Sequence, residues 1–197
     1  NNLVILIFSI EVIIVSTRHE NVEKVRLLED KLFEMDATGW LEYEFLTWEW
    51  WLLLSFFISP WILWIYTKKR EWLVESILFG VIVMVITILL DTIGLQFSFW
   101  EYPIEFLPVI PSAFPFDVSL VPVAYMLLFQ YNRTWKSFIS AQIVMAFVYA
   151  FIGEPLCNWI NLVCYIKWNY MYSFLYYILI GLGIRALILK WVSVSKS

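Results

Sequence analysis

Residues 90–122 read LDTIGLQFSFWEYPIEFLPVIPSAFPFDVSLVP. The stretch sets Asp91, Glu101, Glu105 and Asp117 among residues fit for hydrocarbon, and punctuates them with Pro103, Pro108, Pro111, Pro115 and Pro122. A solvated loop is not this apolar, and a spanning helix does not hold this much proline. Both facts fit irregular backbone sheltered by neighbouring helices, near one face of a bilayer. The rest of the chain has to supply those helices.

Its composition does so. Of 197 residues, 62% are hydrophobic and 15% charged, where a soluble domain is nearer half apolar and a quarter charged. The chain therefore reads as an all-α integral membrane protein forming one bundle over residues 1–197. No basic patch or nucleic-acid motif occurs, so no nucleic-acid partner is expected. Cys157 and Cys164 are too few for a disulfide framework and are read as free thiols. With the lone His19 set among charges, no metal site is expected. Gly181-Leu182-Gly183 reads as close helix packing, since no strand precedes it as a phosphate loop requires, and no cofactor is implied.

Working outward on the N-terminal side, residues 72–93 are the clearest spanning helix, because Ile77 to Leu90 contains no ionisable group. Residues 48–66 form another, with Pro60 at its centre and an aromatic approach (Trp40, Tyr43, Trp48, Trp50, Trp51) suited to the headgroup zone. Residues 17–39 alternate charges of both signs with Val22, Val25, Leu28, Leu32 and Met35, which predicts an amphipathic surface helix stopped by Gly39. A partner-binding helix is the sharper alternative there. Residues 1–16 carry an apolar run, interrupted by Glu11, that is expected to be the first spanning helix.

On the C-terminal side, residues 94–117 are the proline-rich connection, and helices are predicted over 118–131 and 135–152. The second is expected to stop at Gly153-Glu154-Pro155. Residues 153–170 form an interfacial segment and residues 171–190 a last helix. The total is about six crossings, with the surface helix after the first and the irregular connection between the third and fourth. Lys68, Lys69, Arg70, Arg133, Lys136, Lys190 and Lys196 then fall on one side, which the positive-inside bias assigns to the cytoplasm together with both termini. Arg185, about one turn from Lys190, is expected to snorkel to that interface.

The same count brings Glu49, Asp91, Glu101, Glu105, Asp117 and Glu154 to one depth near the outer face. A charge in hydrocarbon costs at least about 2.5–3.5 kcal/mol, so acids there need a use or a partner. Bases are scarce beside them, Lys167 being the exception, so these carboxyls are expected to hold or share a proton, or to bind a cation. Individually, Asp91, Asp117 and Glu154 also suit helix ends facing headgroups and water, and Glu49 and Asp117 suit helix N-termini. As a set, with Trp100, Tyr102 and Asn158, they outline an outward-facing binding pocket.

Trp100-Glu101-Tyr102-Pro103, Pro115-Phe116-Asp117 and Phe151-Ile152-Gly153-Glu154-Pro155, in that order, resemble a family of small uncharacterised multi-pass proteins of spore-forming bacteria of the Bacillus and Clostridium group. The likeness covers roughly residues 48–190 and implies a bacterial cytoplasmic-membrane location, with no activity attached. A fainter resemblance is to membrane-embedded lycopene cyclases, whose Pro-x-acid-acid motif Pro103-Ile104-Glu105 matches in its first three positions, with Phe106 in place of the second acid.

Three roles follow as expectations. The pocket binds or passes a proton, cation or small ligand; or the protein is a membrane enzyme on a lipid or isoprenoid, with Glu105 and Asp117 as candidate catalytic acids; or it is a non-catalytic subunit or sensor whose surface helix docks a membrane partner protein.

Overall fold

The computed structural model describes the backbone of residues 2–194 and the side chains of residues 18–192. Glu11 and the apolar side chains of residues 1–16, expected to cross the bilayer, lie outside that range. The chain divides into two compact units, Asn1–Tyr43 and Glu44–Ser197.

The first unit is built on one helix, α1 (Asn2–Gly39). The predicted division between a spanning helix and a separate surface helix at residue 17 is absent from the backbone. Nothing between residues 3 and 38 breaks a helix, since neither proline nor glycine occurs there. The change in polarity along the sequence leaves the helix unbroken. Val22, Val25, Leu28, Leu32 and Met35 form an exposed stripe along it.

The second unit is helical with one small exception. Thr47 starts α2 (Trp48–Thr67) by accepting from the Trp50 amide at 3.3 Å, and the helix runs through Pro60. A short turn, Arg70–Trp72, leads into α3 (Leu73–Gln96). A π turn, Phe116–Leu120, leads into α4 (Val121–Tyr131), where Pro122 sits in the first turn and its missing N–H costs nothing. Thr134 caps α5 (Trp135–Val148), accepting from the Ser137 amide at 3.2 Å. A second π turn, Tyr149–Gly153, joins α5 to α6 (Glu154–Trp159), and α7 (Tyr170–Val194) ends the unit.

The helical path from residue 135 therefore continues to Trp159 and does not stop at Gly153-Glu154-Pro155. The π turn is the reason. Its wider bonding sends the Glu154 amide to the Tyr149 carbonyl, and Pro155 then falls in the first turn of α6, where a missing donor is tolerated. Among the described residues, four segments are long and apolar enough to cross a membrane: Trp48–Thr67, Arg70–Gln96, Trp135–Trp159 and Tyr170–Val192, with Phe116–Tyr131 a shorter apolar helix. At about 1.5 Å per residue, the shortest of the four is about 30 Å long, the thickness of a bilayer's hydrocarbon core. The fold is that of an all-α membrane protein.

The main core lies between α3, α4, α5 and α7, where Phe79, Val83, Tyr125, Phe129, Phe138 and Ile188 are fully or almost fully buried. Gly181 of α7 packs against the Gln142 side chain of α5, and a Cβ there would lie 2.3 Å from Gln142 Oε1. Gly183, two residues on, faces open space.

The two ends of this unit differ in chemistry. At one end the basic turns gather. Tyr131 donates to the Thr67 carbonyl at 2.8 Å, the Lys69 amide donates to Gln130 Oε1 at 3.2 Å, and the Arg133 guanidinium stacks 3.0 Å from the Trp72 ring centre. Arg185 joins them, but it does not snorkel. Only 2% exposed, it donates to the carbonyls of Asn132 at 2.7 Å and Arg133 at 2.6 Å, just beyond the C-terminus of α4. Those carbonyls lack helical partners, and a planar guanidinium reaches both at once.

At the other end, the proline-rich connection pairs with the segment after α6. Strands β1 (Trp100–Glu101) and β2 (Cys164–Tyr165) run antiparallel, with Trp100 opposite Tyr165 and Glu101 opposite Cys164. The Phe99 carbonyl extends the pairing by accepting from the Ile166 and Lys167 amides at 2.9 and 3.0 Å. Leu53, Leu162 and Val163 form a second buried cluster beneath this cap. The irregular backbone expected at residues 94–117 is thus tied down by a strand pair. Both cysteines are free.

Candidate functional site

Beneath the strand pair lies a cavity of about 590 Å³. Its acids come from three places in the chain. Asp91 sits near the end of α3, Asp117 in the π turn before α4, and Glu154 at the start of α6. All three are more than nine-tenths buried.

Asp91 is held from the proline-rich connection. Its Oδ1 accepts from Trp100 Nε1 at 2.8 Å and from the Tyr102 hydroxyl at 2.7 Å. The Trp100 ring reaches Asp91 by lying directly on Gly94, where a Cβ would stand 2.0 Å from Trp100 Cζ2. Trp168 meets Trp100 edge-on, with centroids 4.9 Å apart, and donates its own N–H to Ser173 at 2.8 Å. Glu154 is held from α7, its Oε1 accepting from the Tyr177 hydroxyl at 2.9 Å.

One oxygen on each acid (Asp91 Oδ2, Asp117 Oδ2 and Glu154 Oε2) is buried without a hydrogen-bond partner. Buried carboxyl oxygens are expensive to leave unmatched, at about 1–3 kcal/mol each and more for a charged group. The cavity wall supplies no counter-ion, because no Lys, Arg or His lines it among the described residues. The described residues also contain no group of three or more His, Cys, Asp or Glu side chains able to hold a metal ion. The acids therefore share a cavity without closing on a common point.

The remaining wall is aromatic and aliphatic. Phe56, Phe99, Phe116, Tyr149, Tyr165 and Tyr176 contribute rings, and Tyr176 donates to Thr87 Oγ1 at 3.3 Å. Burial holds the Tyr102 phenol well above its ordinary titration range, and the neighbouring Asp91 and Asp117 push the same way. Burial raises Tyr165 likewise, reinforced by Glu154. Both phenols remain hydrogen-bond donors at neutral pH. Ile93, Ile152, Leu156 and Trp159 line the cavity yet are themselves exposed, so it reaches the molecular surface at apolar residues of the α3 and α5–α6 segments.

Of the residues expected from sequence to form the pocket, Asp91, Trp100, Tyr102, Asp117 and Glu154 line this cavity. Glu49, Glu101, Glu105 and Asn158 do not. Glu101 is exposed in β1, where the register with Cys164 turns it away from Trp100's side of the strand. Glu49 belongs to the first turn of α2, and Asn158 to the last turn of α6. Glu105, a candidate catalytic acid, accepts from the Ser112 hydroxyl while its amide donates to Glu44 Oε2 at 2.6 Å, an arrangement that pins the proline-rich connection outside the cavity.

The sequence reading passed over Tyr165, Trp168, Ser173, Tyr176 and Tyr177. A signal for the last three exists: Tyr170, Ser173, Tyr176 and Tyr177 recur at intervals of three and four along one apolar helix, the spacing of a single face. Comparison with protein-family models, curated proteins and solved structures finds no match for the chain.

Proposed function

We propose that the protein is a multi-pass protein of a bacterial cytoplasmic membrane whose carboxylate-lined cavity binds an organic cation with an apolar body, as a binding or permeation site. One observation carries this reading: three buried carboxyl groups, each with an unpartnered oxygen, face an aromatic cavity with no basic residue among the described ones. A protonated amine supplies donors for those oxygens, and ring faces attract cations. The volume lies within the range of small-molecule sites, about 300–1,000 Å³. The apolar opening suits a ligand arriving from the bilayer. The separation of the acids favours an organic cation over a bare ion caged by all three. On this reading the basic end faces the cytoplasm, as the positive-inside bias favours, and the cavity faces the exterior. The bacterial location rests on the motif resemblance around Trp100, Asp117 and Glu154.

The test is binding of naphthylmethylamine to the protein in nanodiscs, with neutral naphthylmethanol as control. The amine should bind at least tenfold more tightly than the alcohol, equivalent to about 1.4 kcal/mol. Asp91→Asn, Asp117→Asn and Glu154→Gln combined should abolish that preference. An unchanged preference in the triple variant refutes the reading.

A second reading is a membrane enzyme acting on a lipid or isoprenoid through carboxyl chemistry. It is favoured by Asp91 and Asp117 facing one apolar cavity in unlike settings, Asp91 carrying two donors on one oxygen. The pair for it is Asp91 and Asp117, in place of Glu105 and Asp117. A lipid precursor accumulating in a deletion strain would select it.

A further inference from the structure

We propose that two copies of this chain pair in parallel through residues 18–38 of α1, as a three-heptad coiled coil. Placing Val25 at position a of a heptad puts Leu28 at d, Leu32 at the next a and Met35 at the next d. These four are 52%, 67%, 68% and 65% exposed, so an unbroken apolar seam stands uncovered on a continuous helix. The preceding a and d positions are Arg18 and Asn21. Both are polar, so the apolar part of the seam runs from Val25 to Met35.

The charges beside the seam choose the occupant. Lys24 and Lys31 fall at g, on one flank, while Glu29 and Asp36 fall at e, on the other. In a parallel pair, each g residue meets the e residue five positions further along its partner. Lys24 then faces Glu29 of the second copy, and Lys31 faces Asp36, on both sides of the seam. One sequence thus carries both halves of the complementarity. Antiparallel pairing would set like flanks together. Copies anchored in one membrane share one orientation, which allows the parallel arrangement.

A lipid surface fits less well. Residues 18–38 hold six acids against four bases, and Glu29 and Asp36 stand beside the seam, whereas helices lying on anionic membranes carry Lys and Arg there. Within a single copy, Lys24 reaches Glu20 at 2.7 Å with both side chains about two-thirds exposed, a surface pair that leaves ammonium donors for a partner.

The experiment uses the full chain in proteoliposomes, with Cys157→Ser and Cys164→Ser removing the native thiols. Under mild oxidation, Leu28→Cys at the seam should form disulfide-linked dimers at least tenfold faster than Asp30→Cys on the outer face. Lys24→Glu with Lys31→Glu should lower the Leu28→Cys dimer yield severalfold, and adding Glu29→Lys with Asp36→Lys should restore it. Equal rates at positions 28 and 30, no cross-linking at either, or failure of the second charge pair to restore the yield would overturn the proposal. In native membranes, cross-linking to a product of different mass would overturn it in favour of another partner.

Discussion

Gly94→Ala adds one methyl group, and the structure predicts that its effect on stability changes sign with the residue at position 100. The new Cβ would lie 2.0 Å from Trp100 Cζ2 and 2.5 Å from Cε2, far inside contact distance. Gly94 is held within α3, so the indole must move, and moving it breaks the 2.8 Å bond from Trp100 Nε1 to Asp91. Overpacking costs about 1–3 kcal/mol. Losing a hydrogen bond to a carboxylate costs about 1.5–3 kcal/mol. Against these, alanine gains about 1 kcal/mol over glycine within a helix. The net is a destabilisation of about 1.5–5 kcal/mol. In a Trp100→Ala background the ring is gone and only the propensity gain is left, so the same Gly94→Ala change should stabilise by up to about 1 kcal/mol. Thermal unfolding of the four proteins in detergent, followed by helical circular dichroism, reads the cycle directly. Equal effects of Gly94→Ala in both backgrounds would refute the claim that the glycine exists to admit the indole.

Two further predictions concern the ends of the bundle. Arg185→Lys keeps the charge but cannot span the carbonyls of Asn132 and Arg133 at once, so it should destabilise the protein by about 2 kcal/mol, read as a lowered unfolding midpoint; an unchanged midpoint would mean those bonds contribute nothing. Tyr165 holds its proton more firmly in the folded protein than in the unfolded chain, where a phenol titrates near pH 10. Its contribution is therefore fully present below about pH 10 and is lost as pH rises above that value, because the unfolded chain then releases a proton that the folded one retains. Urea midpoints measured across that range should fall less steeply for Tyr165→Phe than for the parent, and identical slopes would contradict the assignment.

Much of this architecture is visible in residue order because hydrocarbon imposes a simple rule. The uncharged run from Ile77 to Leu90 leaves no alternative to a buried or membrane helix. Counting helix ends put Asp91, Asp117 and Glu154 at one depth, and in the structure they share one cavity. Depth does not fix direction, however. Glu101 and Glu105 lie in the connection between α3 and α4, where a strand register and a serine hydroxyl decide which way each points. Those are long-range or turn-specific contacts with no periodic trace. Gly153-Glu154-Pro155 misleads for a related reason, since proline ends a helix only if the displaced amide bonds are not rerouted, and Tyr149–Gly153 reroutes them. Arg185 leaves no such trace either, because the open carbonyls that hold it belong to a turn distant in sequence.

The two π turns beside the cavity, Phe116–Leu120 and Tyr149–Gly153, leave a mark on how this protein tolerates length changes. Each holds one residue more than a regular helix would need, and each stands immediately at a cavity acid: Asp117 lies inside one, and Glu154 follows the other. Excising Val118 or Ala150 would restore ordinary winding locally and strengthen the ladder. It would also swing every downstream side chain of that helix by about 100° relative to what precedes it, the rotation of one residue in 3.6. The surplus residue acts as a rotational shim: removing it makes a better rod whose far end faces the wrong neighbours.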